Sequence, residues 1–319
     1  MDHPVVASLI PVILIIAAGW VAGRVNLVGR SAVKDLSNLA FLVLLPCLLF
    51  RTMGKVQVQS LDFMPVAAYF IGVGLVFFGV LALRGFHRRA AVLALACTFS
   101  NTIMIGIPLI GLAYGEAGLV TLFTLYTIHT ALILTCATLV LEMAMLREGA
   151  AADSGQKSQP LAIKLLLAVR NALVHPVPLP IFAGLLFAQT GLPIPPVVDK
   201  PLQLLGGAFG PLALLMVGIT MAHTALGAHV RSAFGLTLAK NLLMPALVAG
   251  AGVLLGVGGL PLVVVVVVAC LPAGANTLIF AQRYGVAEDT ITATIGFSTF
   301  VGLLTVPLVM LACARWLPA

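Results

Sequence analysis

Charge is scarce in this chain of 319 residues: only 8% are Asp, Glu, Lys or Arg, while 61% are hydrophobic. Soluble domains carry about a quarter charged residues. With a mean hydropathy of +1.16, the composition excludes a soluble globular protein and predicts an all-α polytopic membrane protein. Acids are scarcer still. All ten (Asp2, Asp35, Asp62, Glu116, Glu142, Glu148, Asp153, Asp199, Glu288 and Asp289) fall in loops or near a span end. The middle of the apolar runs thus holds no carboxylate, which disfavours a carboxylate proton relay or a cationic substrate and favours an anionic one. There is no G-x-x-x-x-G-K-[ST] loop, so ATP is not the direct energy source. Nor is there an H-E-x-x-H motif, a G-x-S-x-G motif or a pair of acids, so an intramembrane enzyme built on His129 or His175 lacks its partners. The five cysteines (Cys47, Cys97, Cys136, Cys270 and Cys313) lie in apolar runs. Neither their odd number nor their spacing suggests a disulfide set or a zinc site, and they read as small packing residues. No cofactor and no metal is called for. The first apolar run, ending at Gly23, is not preceded by Lys or Arg, so it lacks the basic start of a cleaved signal and reads as a retained span.

What the sequence does have is long apolar runs. At about 20 residues per crossing, ten spans are expected: Val5 to Gly23, Leu36 to Met53, Met64 to Leu83, Ala90 to Ala113, Leu119 to Met145, Leu165 to Gln189, Leu202 to His223, Ser232 to Val257, Leu260 to Gln282 and Ile291 to Trp316. The longest polar connection, 147–160, separates a first half (1–146) from a second (161–319) with five spans each. An odd number per half inserts the halves in opposite orientations. Of the 17 Lys and Arg residues, an exterior N-terminus leaves only Arg51, Lys55, Lys200 and Arg315 outside, the expected positive-inside sign. Both termini are then outside, in a bacterial-type inner (plasma) membrane, with 147–160 cytoplasmic. The net charge of +7 is scattered through short loops as a topology signal, and no nucleic-acid partner is implied.

Two of these runs carry residues that a continuous membrane helix avoids in combination. One reads Ala96-Cys97-Thr98-Phe99-Ser100-Asn101-Thr102-Ile103-Met104-Ile105-Gly106-Ile107-Pro108, the other Ala269-Cys270-Leu271-Pro272-Ala273-Gly274-Ala275-Asn276-Thr277. Each is the fourth span of its half, and each is followed by a Tyr-Gly pair, Tyr114-Gly115 and Tyr284-Gly285. Proline removes a donor and pushes away the carbonyl four residues earlier, Met104 for Pro108 and Val268 for Pro272, and in hydrocarbon that carbonyl needs another partner. A substrate is one such partner, because interrupted helices in corresponding places of two halves point to a transporter site at the midplane.

These residues, with Leu45-Pro46-Cys47-Leu48-Leu49-Phe50 in the second span, resemble the auxin efflux carrier family, which includes plant PIN-type auxin exporters and bacterial carriers of malonate and other organic acids. The likeness covers essentially the whole chain. It implies two inverted five-helix repeats, a scaffold from spans one, two, six and seven, and a transport bundle from spans three to five and eight to ten. Spans four and nine would cross at their prolines. It implies also a homodimer in the bilayer and elevator-like motion. Many plant members have a long hydrophilic central loop where this chain has a short tether, so regulation through that loop does not carry over.

Asn101 and Asn276 each offer two amide donors and an acceptor, suited to a carboxylate. Interhelical bonding is the plainer role, but their recurrence beside both breaks favours substrate contact. Ser100, Thr102 and Thr277 are weaker candidates, since such hydroxyls often bond the preceding turn. Pro108, Gly106, Pro272 and Gly274 shape the breaks and expose half-helix N-termini that favour an anion. His129, with Tyr126 one turn away, reads equally as a functional group and as a neutral ring bonded to a neighbouring helix. Lys240, two turns from a span end, reads as a snorkelling side chain. The leading function is a secondary transporter of a small organic anion, a mono- or dicarboxylate of malonate or auxin type. The alternative is a non-transporting membrane receptor for an organic acid or sterol.

Overall fold

The computed structural model describes residues 4–148, 163, 177–224 and 230–316. Most of the central connection and the expected start of span six, with His175 and Pro176, lie outside the described residues. The described chain is helical: α1 (Pro4–Arg24), α2 (Arg30–Leu39), α3 (Leu45–Met53), α4 (Met64–Arg84), α5 (Arg88–Thr98), α6 (Ile107–Arg147), α7 (Pro178–Ala188), α8 (Pro196–His223), α9 (Val230–Leu238), α10 (Met244–Leu254), α11 (Gly259–Cys270), α12 (Asn276–Tyr284) and α13 (Glu288–Trp316). Among the described residues, six stretches are long and apolar enough to cross a membrane: Ala32–Met53, Met64–Arg84, Thr102–Arg147, Pro196–His223, Arg231–Leu254 and Glu288–Arg315. Shorter apolar helices are Leu9–Arg24, Pro178–Ala188 and Gly259–Cys270.

Three prolines inside apolar runs are accommodated alike. Ala40–Leu44, Thr102–Gly106 and Ala239–Leu243 are each one wide π-turn, and Pro46, Pro108 and Pro245 stand second in the helix that follows. The residue before each proline donates to the carbonyl five back: Leu45 to Ala40, Ile107 to Thr102 and Met244 to Ala239. The wider turn makes room for the carbonyl a proline displaces without ending the helix. Pro108 is therefore not where the first interrupted span breaks. The non-helical residues lie earlier, at 99–101, where Ser and Asn side chains compete with helical bonding and Phe99 adopts φ −88°, ψ 111°.

The second Tyr-Gly echo has a backbone meaning. Gly115, inside α6, has φ 63°, ψ −155°, a region essentially reserved for glycine. It divides α6 into 107–114 and 116–147. Gly285 ends α12 in the left-handed conformation at φ 63°, ψ 38°, the usual glycine helix stop.

The helices fall into two packing groups. α1 lies along α8, and α3 packs on α7 and α8; in the other group α10 packs on α4, α9 on α13, and α11 on α6 and α13. A Cβ on Gly19 would strike the Leu215 backbone, and one on Gly218 the Ile16 carbonyl, so small residues set the close α1–α8 approach. Between the groups, Arg51 of α3 holds Asp199 of α8 through Nε at 2.7 Å and reaches Glu116, beside the Gly115 kink, through Nη1 at 3.1 Å.

Candidate functional site

The two interruptions meet. Asn101 N donates to the Pro272 carbonyl at 2.8 Å and Gly274 N to the Phe99 carbonyl at 2.8 Å, which makes Ser100 and Ala273 a single antiparallel bridge. The contact requires glycine at 274: a Cβ there would lie 2.7 Å from the Phe99 ring and 3.0 Å from the Ser100 carbonyl.

An interrupted membrane helix must account for its orphaned carbonyls. Pro272 leaves the Val268 carbonyl without its helical donor. Ser100 Oγ supplies one at 2.8 Å, and Leu271 N adds a longer bond at 3.3 Å. The Ala273 amide, which would serve Ala269 in a continuous helix, instead donates to Ser298 Oγ at 3.1 Å. The Ala269 carbonyl takes the Lys240 ammonium. The protein thus satisfies the proline-freed carbonyl of Val268 itself, so that group does not wait for a substrate.

What is left open sets amides among apolar walls and, among the described residues, holds no charged side chain. A cavity of about 350 Å³ lies against the junction, within the range of small-molecule sites, about 300–1,000 Å³. Asn101, Thr102, Ile103 and Met104 form one wall, Gly274, Ala275 and Asn276 another, and Tyr126 a third. Asn101 and Asn276 each stand where the second half-helix begins, Asn276 as the first residue of α12. Both are half-buried, and neither amide is taken up by a side-chain hydrogen bond to another described residue. Helix N-termini carry partial positive charge, amide N–H groups donate, and no acid among the described residues lines the cavity. The arrangement suits the carboxylate of a small anion.

The remaining sequence candidates either line the cavity with their hydroxyls engaged or lie behind it. Ser100 lines the cavity but spends its hydroxyl on Val268. Thr102 also lines it, its hydroxyl 3.4 Å from the Ser100 carbonyl. Thr277 is fully buried and donates to the Gly274 carbonyl at 2.7 Å. His129 is buried with Nε2 3.2 Å from the Tyr69 hydroxyl, its ring against Phe99 at 5.1 Å. Gly106 sits where a Cβ would press Leu271, and Pro108 packs near Gly210 of α8. Pro272 lines a separate apolar cleft with Leu9, Ile105 and Val306.

Comparison with known proteins identifies the family. Residues 4–310 match the model of a family described as membrane transport protein. The chain belongs to the membrane transport protein family, that of the auxin efflux carriers. A relative named "Putative malonate transporter" from Rhizobium meliloti (strain 1021) is 27% identical over 308 residues, covering 93% of this chain and 92% of its own. The transporter YfdV of Escherichia coli (strain K12) is 24% identical over 313 residues, covering 95% and 96%. Auxin efflux carrier component 3a of rice is 27% identical over 166 residues, 49% of this chain and 27% of its own. These are membrane transporters and not enzymes.

Two features of this membrane transport protein escape a sequence reading. Asn38 on α2, a helix that packs on α8, lines the cavity with Phe41 and Leu42 and so meets it from the other packing group. Its only sequence signal is an amide in an otherwise apolar run, eight residues before Pro46. Lys240 does not snorkel. It is fully buried in the π-turn preceding Pro245 and directs its ammonium inward.

Proposed function

We propose that this chain is a secondary carrier of a small organic anion, a mono- or dicarboxylate of malonate type, bound where the two interrupted helices meet. The observation that carries the reading is the pair of half-buried amides of Asn101 and Asn276 at two half-helix starts on one cavity, where, among the described residues, neither amide has a side-chain partner and no acid forms part of the lining. Carboxylate oxygens accept from amide N–H groups, and such bonds are charge-assisted. The full-length relative named for malonate supports the substrate class.

The same reading takes the chain as ten spans in two inverted halves, with both termini outside a bacterial plasma membrane and a homodimer as the assembly. The group of α1, α3, α7 and α8 is the scaffold, and the group holding the crossover is the transport bundle. The two groups support this division because Asn38 meets the cavity from the scaffold side, so sliding the bundle past the scaffold would exchange that wall. An elevator movement is the mechanism we infer.

Counterflow of radiolabelled malonate in proteoliposomes tests the function: trans malonate should accelerate uptake of label. Saturable binding without counterflow, for malonate and a panel of mono- and dicarboxylates, would make the protein a receptor. Single cysteines at Ser154 and Pro261, in a background without the native five, test the inverted halves. They should label from opposite sides, and exterior labelling of both refutes the arrangement.

A further inference from the structure

Lys240 is fully buried and finds its partner in a carbonyl, that of Ala269. A lysine ammonium buried at membrane depth normally pairs with an acid or loses its charge. Here the compensating group is the open C-terminal end of α11. Ala269 is the penultimate residue of that helix, and the amides that would close its last turn are turned away, Ala273 N to Ser298 and Gly274 N to Phe99. A helix end with open carbonyls carries roughly half a unit of negative charge. In carriers with interrupted helices, such ends hold the coupling cation.

The same stretch of chain carries further acceptors. Asn241, the next residue, is fixed through Nδ2 to the Ser298 carbonyl at 3.1 Å and Thr305 Oγ1 at 3.2 Å. Its Oδ1 is buried without a hydrogen-bond partner among the described residues, as is Oγ1 of Thr237. Cys270 Sγ donates to the Asn241 carbonyl at 3.2 Å, the carbonyl that Pro245 deprives of its helical donor. This stretch therefore combines buried oxygen acceptors with one amine, that of Lys240, bonded to the open end of α11.

We propose that Lys240 is a built-in cation, occupying at the end of α11 the place that a coupling sodium ion would take, so that the carrier runs without sodium. The inference rests on the carrier reading for its consequence and on the Lys240–Ala269 contact for its chemistry. Lys240 is a positioning residue: it secures the end of α11 one turn before the break and does not line the substrate cavity.

Three measurements decide it. Replacing sodium by N-methylglucamine on both sides of wild-type proteoliposomes should leave malonate uptake unchanged; loss of uptake overturns the proposal. Lys240→Met keeps the buried apolar bulk without the charge and should lower uptake at least about tenfold, one decade being about 1.4 kcal/mol; wild-type uptake by folded Lys240→Met overturns it. Lys240→Ala vacates the stem and the ammonium, so n-propylammonium chloride should raise its melting temperature by mass action and leave that of wild type unmoved. Equal stabilisation by n-propanol would mean that only volume matters and would also overturn it. The melting experiment needs no substrate. A protein that transports no carboxylate would refute the carrier reading, while the response of Lys240→Ala to n-propylammonium would still decide the place of the cation.

Discussion

Ser100→Ala removes the hydroxyl that caps the carbonyl freed by Pro272, and its cost follows from the geometry. Ser100 is 2% exposed and its Oγ lies 2.8 Å from the Val268 carbonyl, so the lost donor is one to a buried acceptor. Leaving a buried acceptor unsatisfied costs about 1–3 kcal/mol. Leu271 N remains on that carbonyl at 3.3 Å, which places the expected loss toward the low end, about 1–2 kcal/mol. Ser37 provides the control. Its Oγ donates to the Val33 carbonyl at 2.7 Å, but that carbonyl lies inside α2 and keeps its helical donor, so Ser37→Ala should stay within about 0.5 kcal/mol of wild type. Equilibrium unfolding of both variants in one detergent, followed by far-UV circular dichroism, gives the two differences. If Ser100→Ala costs no more than Ser37→Ala, the carbonyl accounting at the break is wrong.

Two further outcomes are expected. Gly115→Asn should destabilise more than Gly285→Asn in thermal melts, because Asn tolerates the left-handed conformation at Gly285 but not φ 63°, ψ −155° at Gly115; equal costs would contradict the kink assignment. At Glu148, partial burial raises the carboxyl, but bonds from Arg88 N at 2.7 Å and Arg88 Nε at 2.6 Å outweigh it and hold the group below its ordinary value of 4.5. A depressed carboxylate contributes stability above its unfolded value that is lost as pH falls through the folded one, so melting temperatures of wild type and Glu148→Gln should converge as pH drops below about 4.5; a constant gap would refute this.

The interruptions were legible because amides, Gly and Pro stand out in apolar runs, and because Asn101 and Asn276 recur with their Tyr-Gly pairs. Their internal accounting was not. Ser100 serves Val268 across 168 residues, a pairing without any local pattern. Pro108 drew attention as the break, but a π-turn absorbs it, and the chain departs from helix at 99–101, where no proline lies. A π-turn also precedes Pro245 and holds Lys240, so distance from the span end was a poor guide to where its ammonium goes. Asn38 was missed for a different reason: a single amide in an apolar span becomes informative only once tertiary packing brings it to the cavity. Tyr126 was grouped with His129 by helical spacing. Both are buried; the cavity separates them, with Tyr126 on its wall and His129 behind it against Tyr69.

The most direct test of the central claim is malonate binding by isothermal titration to wild type, Asn101→Ala, Asn276→Ala and the double variant, with a melting temperature for each. Loss of a hydrogen bond to a charged ligand is worth about 1.5–3 kcal/mol, so each single variant should bind roughly ten- to a hundredfold more weakly. The double variant should lose less than the sum, because groups on one ligand couple, and melting temperatures without ligand should change little. Wild-type affinity in all three variants, or unchanged affinity with lowered melting temperatures, would remove both asparagines from the site and leave them as bonds between helices.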